Sequence, residues 1–110
     1  MKLNQSHTPS IFNLACNYEK LEDFPKAKKW FLHAIKVKED WPDAYYGLAL
    51  TCVRLYEYEE ACKYIELAVK WSGDNITPHV LYSRALCHRQ NVNNELAQKH
   101  YQVIMRSIDN

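Results

Sequence analysis

Between Pro42 and Asn75 the apolar residues return at helical spacing twice: Tyr45, Leu48 and Ala49, then Tyr58, Ala61, Ile65 and Ala68. Each set forms one stripe of an amphipathic helix, and neither helix can bury its stripe alone. The pair therefore predicts a helical hairpin. Its small residues, Ala49, Ala61 and Ala68, fall where two backbones must approach closely, and larger side chains surround them. Shifted by 34 residues the pattern reappears upstream as Ala15, Ala27 and Ala34, with Ile11, Leu14, Phe24 and Phe31 as bulky neighbours. Downstream a shift of 36 gives Ala85, Ala97 and Ile104 with Leu81, Asn94 and Tyr101, so two residues are added near Ile76 and Thr77. Three units follow, at about 8–41, 42–75 and 78–110.

Local signals set the element ends. The first ten residues are polar and predict a frayed start. Thr8 then supplies a hydroxyl cap and Pro9 a first-turn proline for a helix from Pro9 to about Leu21. Residues Glu22 to Pro25 form a turn in which Asp23 caps a second helix reaching about Lys38. Trp41 precedes Pro42 and so disfavours helical backbone, which places a break there. Helices over 42–55 and 58–71 follow, then the loop Ser72 to Asn75, with Gly73 suited to a left-handed C-terminal cap. Thr77 and Pro78 restart the pattern. The last unit reads as helices over 78–90 and 94–107, split by Asn91 to Asn94, with an asparagine cap and Glu95 at the positive helix end.

The period and the alanine ladder resemble the tetratricopeptide repeat family, whose unit of roughly 34 residues is a helix-turn-helix. The resemblance covers nearly the whole chain. It departs from the family pattern at the turn, where Glu22, Tyr56 and Val92 replace the family's glycine, and near the end of the second helix, where Glu39 and Gly73 replace its proline. It implies an all-α, right-handed solenoid of three hairpins, about six antiparallel helices forming one domain over 1–110. In such a solenoid the first helix of each unit lines a concave, peptide-binding side and the second lines the convex side. The positions on the first helices not required for packing then form two columns, Phe12, Tyr46 and Tyr82 beside Cys16, Leu50 and Leu86. Aromatics in the first column offer large contact area with few rotors to freeze. One turn further lie Glu19, Lys20, Val53, Arg54, Arg89 and Gln90, a mixed rim that becomes basic toward the later units. Some family members clamp the C-terminal carboxylate of chaperone tails with Lys, Asn and Arg. The corresponding places in this chain hold Phe12, Cys16, Gly47, His79 and Ser83, which argues against such a tail as partner.

Composition narrows the function classes. The 110 residues are 47% apolar and 25% charged, as in an ordinary folded protein. A formal charge of +1 provides no global field for nucleic acid or anionic lipid. No run approaches a membrane span or a secretory signal, so the expectation is a soluble, intracellular and cytoplasmic chain. Lys26, Lys28, Lys29, Lys36 and Lys38 read as a solvated helix face. Cys16, Cys52, Cys62 and Cys87 read as small buried hydrophobes, and neighbouring Cys87 and His88 point about 100° apart on a helix and so do not converge on one ligand. Trp30, Trp41 and Trp71 read as packing between units rather than as ligand anchors. With scattered histidines and no HExxH, GxSxG, Walker or GxGxxG pattern, no catalytic, metal or cofactor site is expected.

Two function classes remain. One is a non-catalytic module or scaffold that holds a partner peptide or helix in the groove formed by Phe12, Cys16, Tyr46, Leu50, Arg54, Tyr82, Leu86 and Arg89. The other is a segment of a larger solenoid or a self-associating subunit. The last helix favours some cover: Tyr101, Ile104, Met105 and Ile108 exceed the needs of one buried stripe just before Asn110, which predicts an end interface with a second copy or a larger complex.

Overall fold

The computed structural model describes the backbone of residues 8–109 and the side chains of residues 9–108, so the frayed start before Thr8 and the Thr8 hydroxyl cap expected from the sequence lie outside what is described. It contains α1 (Thr8–Lys20), α2 (Phe24–Val37), α3 (Pro42–Arg54), α4 (Tyr58–Ser72), a 3-10 turn (Gly73–Asn75) and α5 (Pro78–Asp109). No strand occurs among the described residues. The architecture is an all-α helical-hairpin solenoid: α1 pairs with α2, α3 pairs with α4, and α5 lies against both α3 and α4.

Both hairpins close in the same way. In the first turn the Glu22 N–H donates to the Glu19 carbonyl at 2.9 Å and the Asp23 N–H donates to the Tyr18 carbonyl at 2.9 Å. In the second, Tyr56 donates to Val53 at 3.1 Å and Glu57 to Cys52 at 2.8 Å. This pattern satisfies the last carbonyls of each first helix, and it requires positive φ at the residue in the middle. Glu22 and Tyr56 supply it, at φ 61° and 62°. Asp23 then caps α2, its side chain accepting from the Lys26 N–H at 3.4 Å.

The core is the alanine ladder with its large partners. Ala15, Ala27, Ala34, Ala49, Ala61 and Ala68 are all fully buried, with Phe31, Leu48 and Ile65 inserted among them. Phe31 of α2 fills the space above Gly47 of α3, where a Cβ would lie 2.6 Å from the ring. Tyr45 ties the loop between the hairpins to α3 by donating its hydroxyl to the Glu39 carbonyl at 2.8 Å. Trp41, extended at φ −99° as a residue before proline should be, stacks on Phe12 with centroids 4.7 Å apart. Trp30 also packs on the core, whereas Trp71 is exposed under the ammonium of Lys70, so packing accounts for two of the three tryptophans.

The third unit departs from expectation. Where the sequence predicts helices over 78–90 and 94–107, α5 runs unbroken through Asn91 to Asn94, and the described residues hold five α-helices rather than six. The cause is local. Val92 occupies the place of Glu22 and Tyr56, and a β-branched residue resists the left-handed backbone that the turn demands. Asparagine is only a mediocre helix former, but nothing in the segment stops α5 from continuing. Glu95 consequently lies inside a helix and not at a helix start. The molecule is elongated as a result, 61 Å in its longest dimension with a radius of gyration of 16.7 Å, against roughly 13 Å for a compact chain of this length.

Candidate functional site

The first helices bring part of the expected groove together. A depression of about 470 Å³ is lined by Glu19 and Lys20 of α1, Glu22, Phe24 of α2, Leu50, Val53 and Arg54 of α3, and Leu86 of α5. A small adjoining hollow is lined by Tyr82, Ala85, Leu86 and Arg89. Leu50, Arg54, Leu86, Tyr82 and Arg89 therefore share one continuous face, with leucines at its floor and guanidinium groups at its rim. Arg54 is held by its packing, its guanidinium carbon lying 5.7 Å from the Phe24 ring centroid. Burial pushes the Glu19 carboxyl above its ordinary range, and the positive charges of Arg54 and Lys20 act against that rise. The depression thus carries two acids and two bases over an apolar floor, a combination suited to peptide backbone and mixed side chains.

The aromatic column behaves differently along its length. Phe12 packs edge-on against Phe31 at 5.9 Å and against Trp41, so it works in the core rather than standing free of it. Tyr46 is half-buried against the same cluster, and its hydroxyl accepts from Ser83 of α5 at 3.2 Å. Only Tyr82 stands clear, at 70% exposed. Cys16 is half-buried, and burial raises its thiol pKa. These contacts across elements depend on how the hairpins stack, which helical periodicity within one unit does not specify.

Ion pairs lock the helices that carry the groove. Lys28 of α2 reaches Glu57 at 2.9 Å and Glu60 at 3.0 Å across the start of α4. Burial alone would lower the Lys28 pKa, but hydrogen bonds to the two carboxylates outweigh it and raise it. On the other side Glu66 of α4 accepts from Arg84 at 2.6 Å and contacts His88 at 2.9 Å, docking α5.

No reactive centre emerges among these groups. Cys52, Glu57 and Glu60 place their ligand atoms within 4.8 Å of one another. Both carboxylates are already paired with Lys28, and burial pushes the Cys52 thiol up to about 12, so the cluster is built for the ammonium. Burial likewise pushes Cys87 up to about 11. Cys87 is enclosed while His88 is on the surface with Glu66, as the angle between adjacent helical residues requires.

A larger cleft of about 750 Å³ has no counterpart in the sequence reading. It lies between the start of α4 and the middle of α5, lined by Tyr56, Glu57, Tyr58, Glu59, Glu60, Lys63, Asn91, Asn94, Glu95 and Gln98. It exists because α5 runs straight past the point where a turn is expected. The signal that could have revealed it is Val92 at a turn position.

A model of the tetratricopeptide repeat matches residues 8–40 and 42–75, more than half of the chain. The chain belongs to the tetratricopeptide repeat family. The matched spans are the two hairpins that close through Glu22 and Tyr56; the third unit, whose hairpin is replaced by α5, lies beyond them. No curated protein matches the chain. Tetratricopeptide repeats build protein–protein interaction and scaffold modules and are generally without enzymatic activity. Among the described residues no helix is long and apolar enough to cross a membrane.

Proposed function

We propose that residues 1–110 act as one non-catalytic module that holds a partner peptide or helix against the face formed by α1, α3 and the first half of α5. The observation that carries this reading is the leucine floor of Leu50 and Leu86 beneath Arg54, Arg89 and the free ring of Tyr82. Tyr82 and the two arginines are the anchors, because exposed aromatics and guanidinium groups beside a desolvated floor carry most interface energy. Phe12, Tyr46 and Cys16 serve mainly to shape the wall. The mixed rim, with Glu19 and Glu22 among the bases, suits a peptide of mixed charge, and the residues lining this face include no amide side chain of the kind that helps seat a terminal carboxylate. Four free thiols, two of them fully buried, support a reducing cytoplasmic setting.

Selection of a random-peptide display library on the purified chain tests this reading. Selected peptides should lose tenfold or more in affinity for Tyr82→Ala and for Arg89→Ala, and should bind Lys29→Ala, altered on α2, as they bind the wild type. Peptides insensitive to both groove changes would place binding elsewhere and end the proposal. A second reading, a segment of a larger solenoid, rests on the exposed apolar side chains of α5.

A further inference from the structure

The cleft of about 750 Å³ between α4 and α5 carries a charge that the chain as a whole does not. Four carboxylates line it, those of Glu57, Glu59, Glu60 and Glu95, against the single ammonium of Lys63, in a chain of formal charge +1. Lys28 offsets part of this by bonding Glu57 and Glu60 from α2. Glu59 and Glu95 form no ion pair among the described residues. The Lys63 ammonium lies 5.8 Å from the ring centroid of Tyr64, which is not part of the cleft wall. The helix dipole accounts for acids in the first turn of α4, where Glu59 and Glu60 stand. It does not account for Glu95, which lies inside α5 and lines the same cleft because α5 runs unbroken past the start of α4. Both free carboxylates act on one neighbour: burial raises the Cys62 thiol pKa, and the charges of Glu66, Glu95 and Glu59 raise it further.

The rest of the wall suits the same kind of ligand. Tyr56 and Tyr58 set their rings 6.3 Å apart at 77°, forming an aromatic corner. Tyr56 is 78% exposed, so packing does not account for its ring. From α5, Asn91, Asn94, Glu95 and Gln98 share one helical face. The amides of Asn91 and Asn94 are half-buried there, with no hydrogen-bond partner among the described residues.

We infer that this cleft seats an arginine- and lysine-bearing segment of a partner protein. Carboxylates and amide oxygens accept from guanidinium and ammonium groups, and tyrosine faces attract the same cations, so every lining group but Lys63 favours positive charge. Arginine fits best, because its planar fork can bond a carboxylate while its face lies on a ring. The occupant is a peptide because the stretch from Asn91 to Gln98 alone extends about 10 Å along α5. Spaced side chains of one segment cover that length, and a single cation does not. The site goes beyond the groove reading and shares no lining residue with the groove, so either can fail without the other.

Fluorescence anisotropy with a labelled peptide of alternating arginine and glycine tests it. The wild-type chain should bind this probe with salt-sensitive affinity and ignore its glutamate counterpart. Glu59→Gln combined with Glu95→Gln should weaken binding by about tenfold or more. Tyr56→Asn, which keeps a residue tolerant of left-handed backbone, should weaken it by about threefold or more, and Lys63→Gln should tighten it. Glu39→Gln combined with Asp40→Asn removes the same charge from the loop between the hairpins and should leave binding unchanged. No binding at millimolar peptide overturns the inference. Equal losses in the two charge-matched pairs overturn it as diffuse attraction, and spermidine competing as well as the peptide overturns it in favour of a small cation. Because a substitution can disturb the fold, amide chemical shifts of the wild type are followed through the same titration. Shifts centred on residues 56–63 and 91–98 support the site; shifts centred on 50–54 and 82–89 move the peptide to the groove and overturn it.

Discussion

Glu22 and Tyr56 hold the same left-handed backbone conformation, φ 61° and 62°, thirty-four residues apart in the chain. Each is the middle residue of the hydrogen-bonded turn that closes a hairpin. Neither is glycine, and left-handed backbone costs an L-residue roughly 1–2 kcal/mol. Glycine would remove that strain, and its extra unfolded-state entropy would return part of the gain, about 0.5–1 kcal/mol. Glu22→Gly should therefore raise stability by about 1 kcal/mol in urea melts. Tyr56→Val should lower it by a similar amount at least, since Tyr56 is exposed and loses little packing. A Tyr56→Val variant as stable as the wild type would remove Val92 as the cause of the unbroken α5.

That pair also shows what was legible in the sequence. The alanine ladder declared the hairpins, because burial of small residues at fixed spacing repeats from unit to unit. Asp23, Trp41 and Thr77 declared element boundaries through capping and proline chemistry, and the Val80 N–H indeed donates to the Thr77 hydroxyl at 3.4 Å. The third turn misleads because polar asparagines suggest a loop, whereas the deciding property is the backbone freedom of the single residue Val92. The groove was legible only in part. Helical spacing gives the face of Phe12 and Tyr46 on their own helices, but Trp41 and Ser83, which draw them inward, come from other elements.

Gly47 and Phe31 meet in a close approach between the two hairpins. A methyl group on Gly47 would lie 2.6 Å from two atoms of a fully buried ring. Gly47→Ala should destabilise by about 1–3 kcal/mol despite alanine's better helix propensity, because the ring has no free space to enter. Adding Phe31→Leu should cost less in that background than in the wild type, giving a measurable coupling in a double-mutant cycle. Additive losses would show that the ring and the glycine do not compete for the same space.

Glu66 makes the docking of α5 sensitive to acid. Burial would raise its carboxyl pKa, but the hydrogen bonds from His88 and Arg84 prevail and hold it below the ordinary range. A pKa lower in the folded than in the unfolded chain means that folding favours the carboxylate. Its contribution is therefore complete above the ordinary glutamate range and is lost as pH falls through the folded value. The pair is largely exposed, so screening limits it to roughly 0.2–1 kcal/mol. Glu66→Gln should flatten the acid side of the stability profile and weaken its dependence on salt. An unchanged acid limb in urea melts taken across that range would remove Glu66 from the account.

Ala49 and Ala85 hold the same place in the repeat and should respond differently to the same change. Ala49 is fully enclosed between α3 and α4, so Ala49→Leu must displace packed side chains and should destabilise by about 1–3 kcal/mol or more. Hairpin unfolding should stay cooperative, since each unit depends on its neighbour. Ala85 is exposed on α5, and leucine is nearly as good a helix former, so Ala85→Leu should leave the melting of dilute protein within about 0.5 kcal/mol of wild type. Urea melts of the two variants beside the wild type read the difference. An Ala85→Leu chain that loses as much stability as Ala49→Leu would mean that Ala85 is enclosed as Ala49 is, and a straight, open α5 would have to give way to a closed third hairpin.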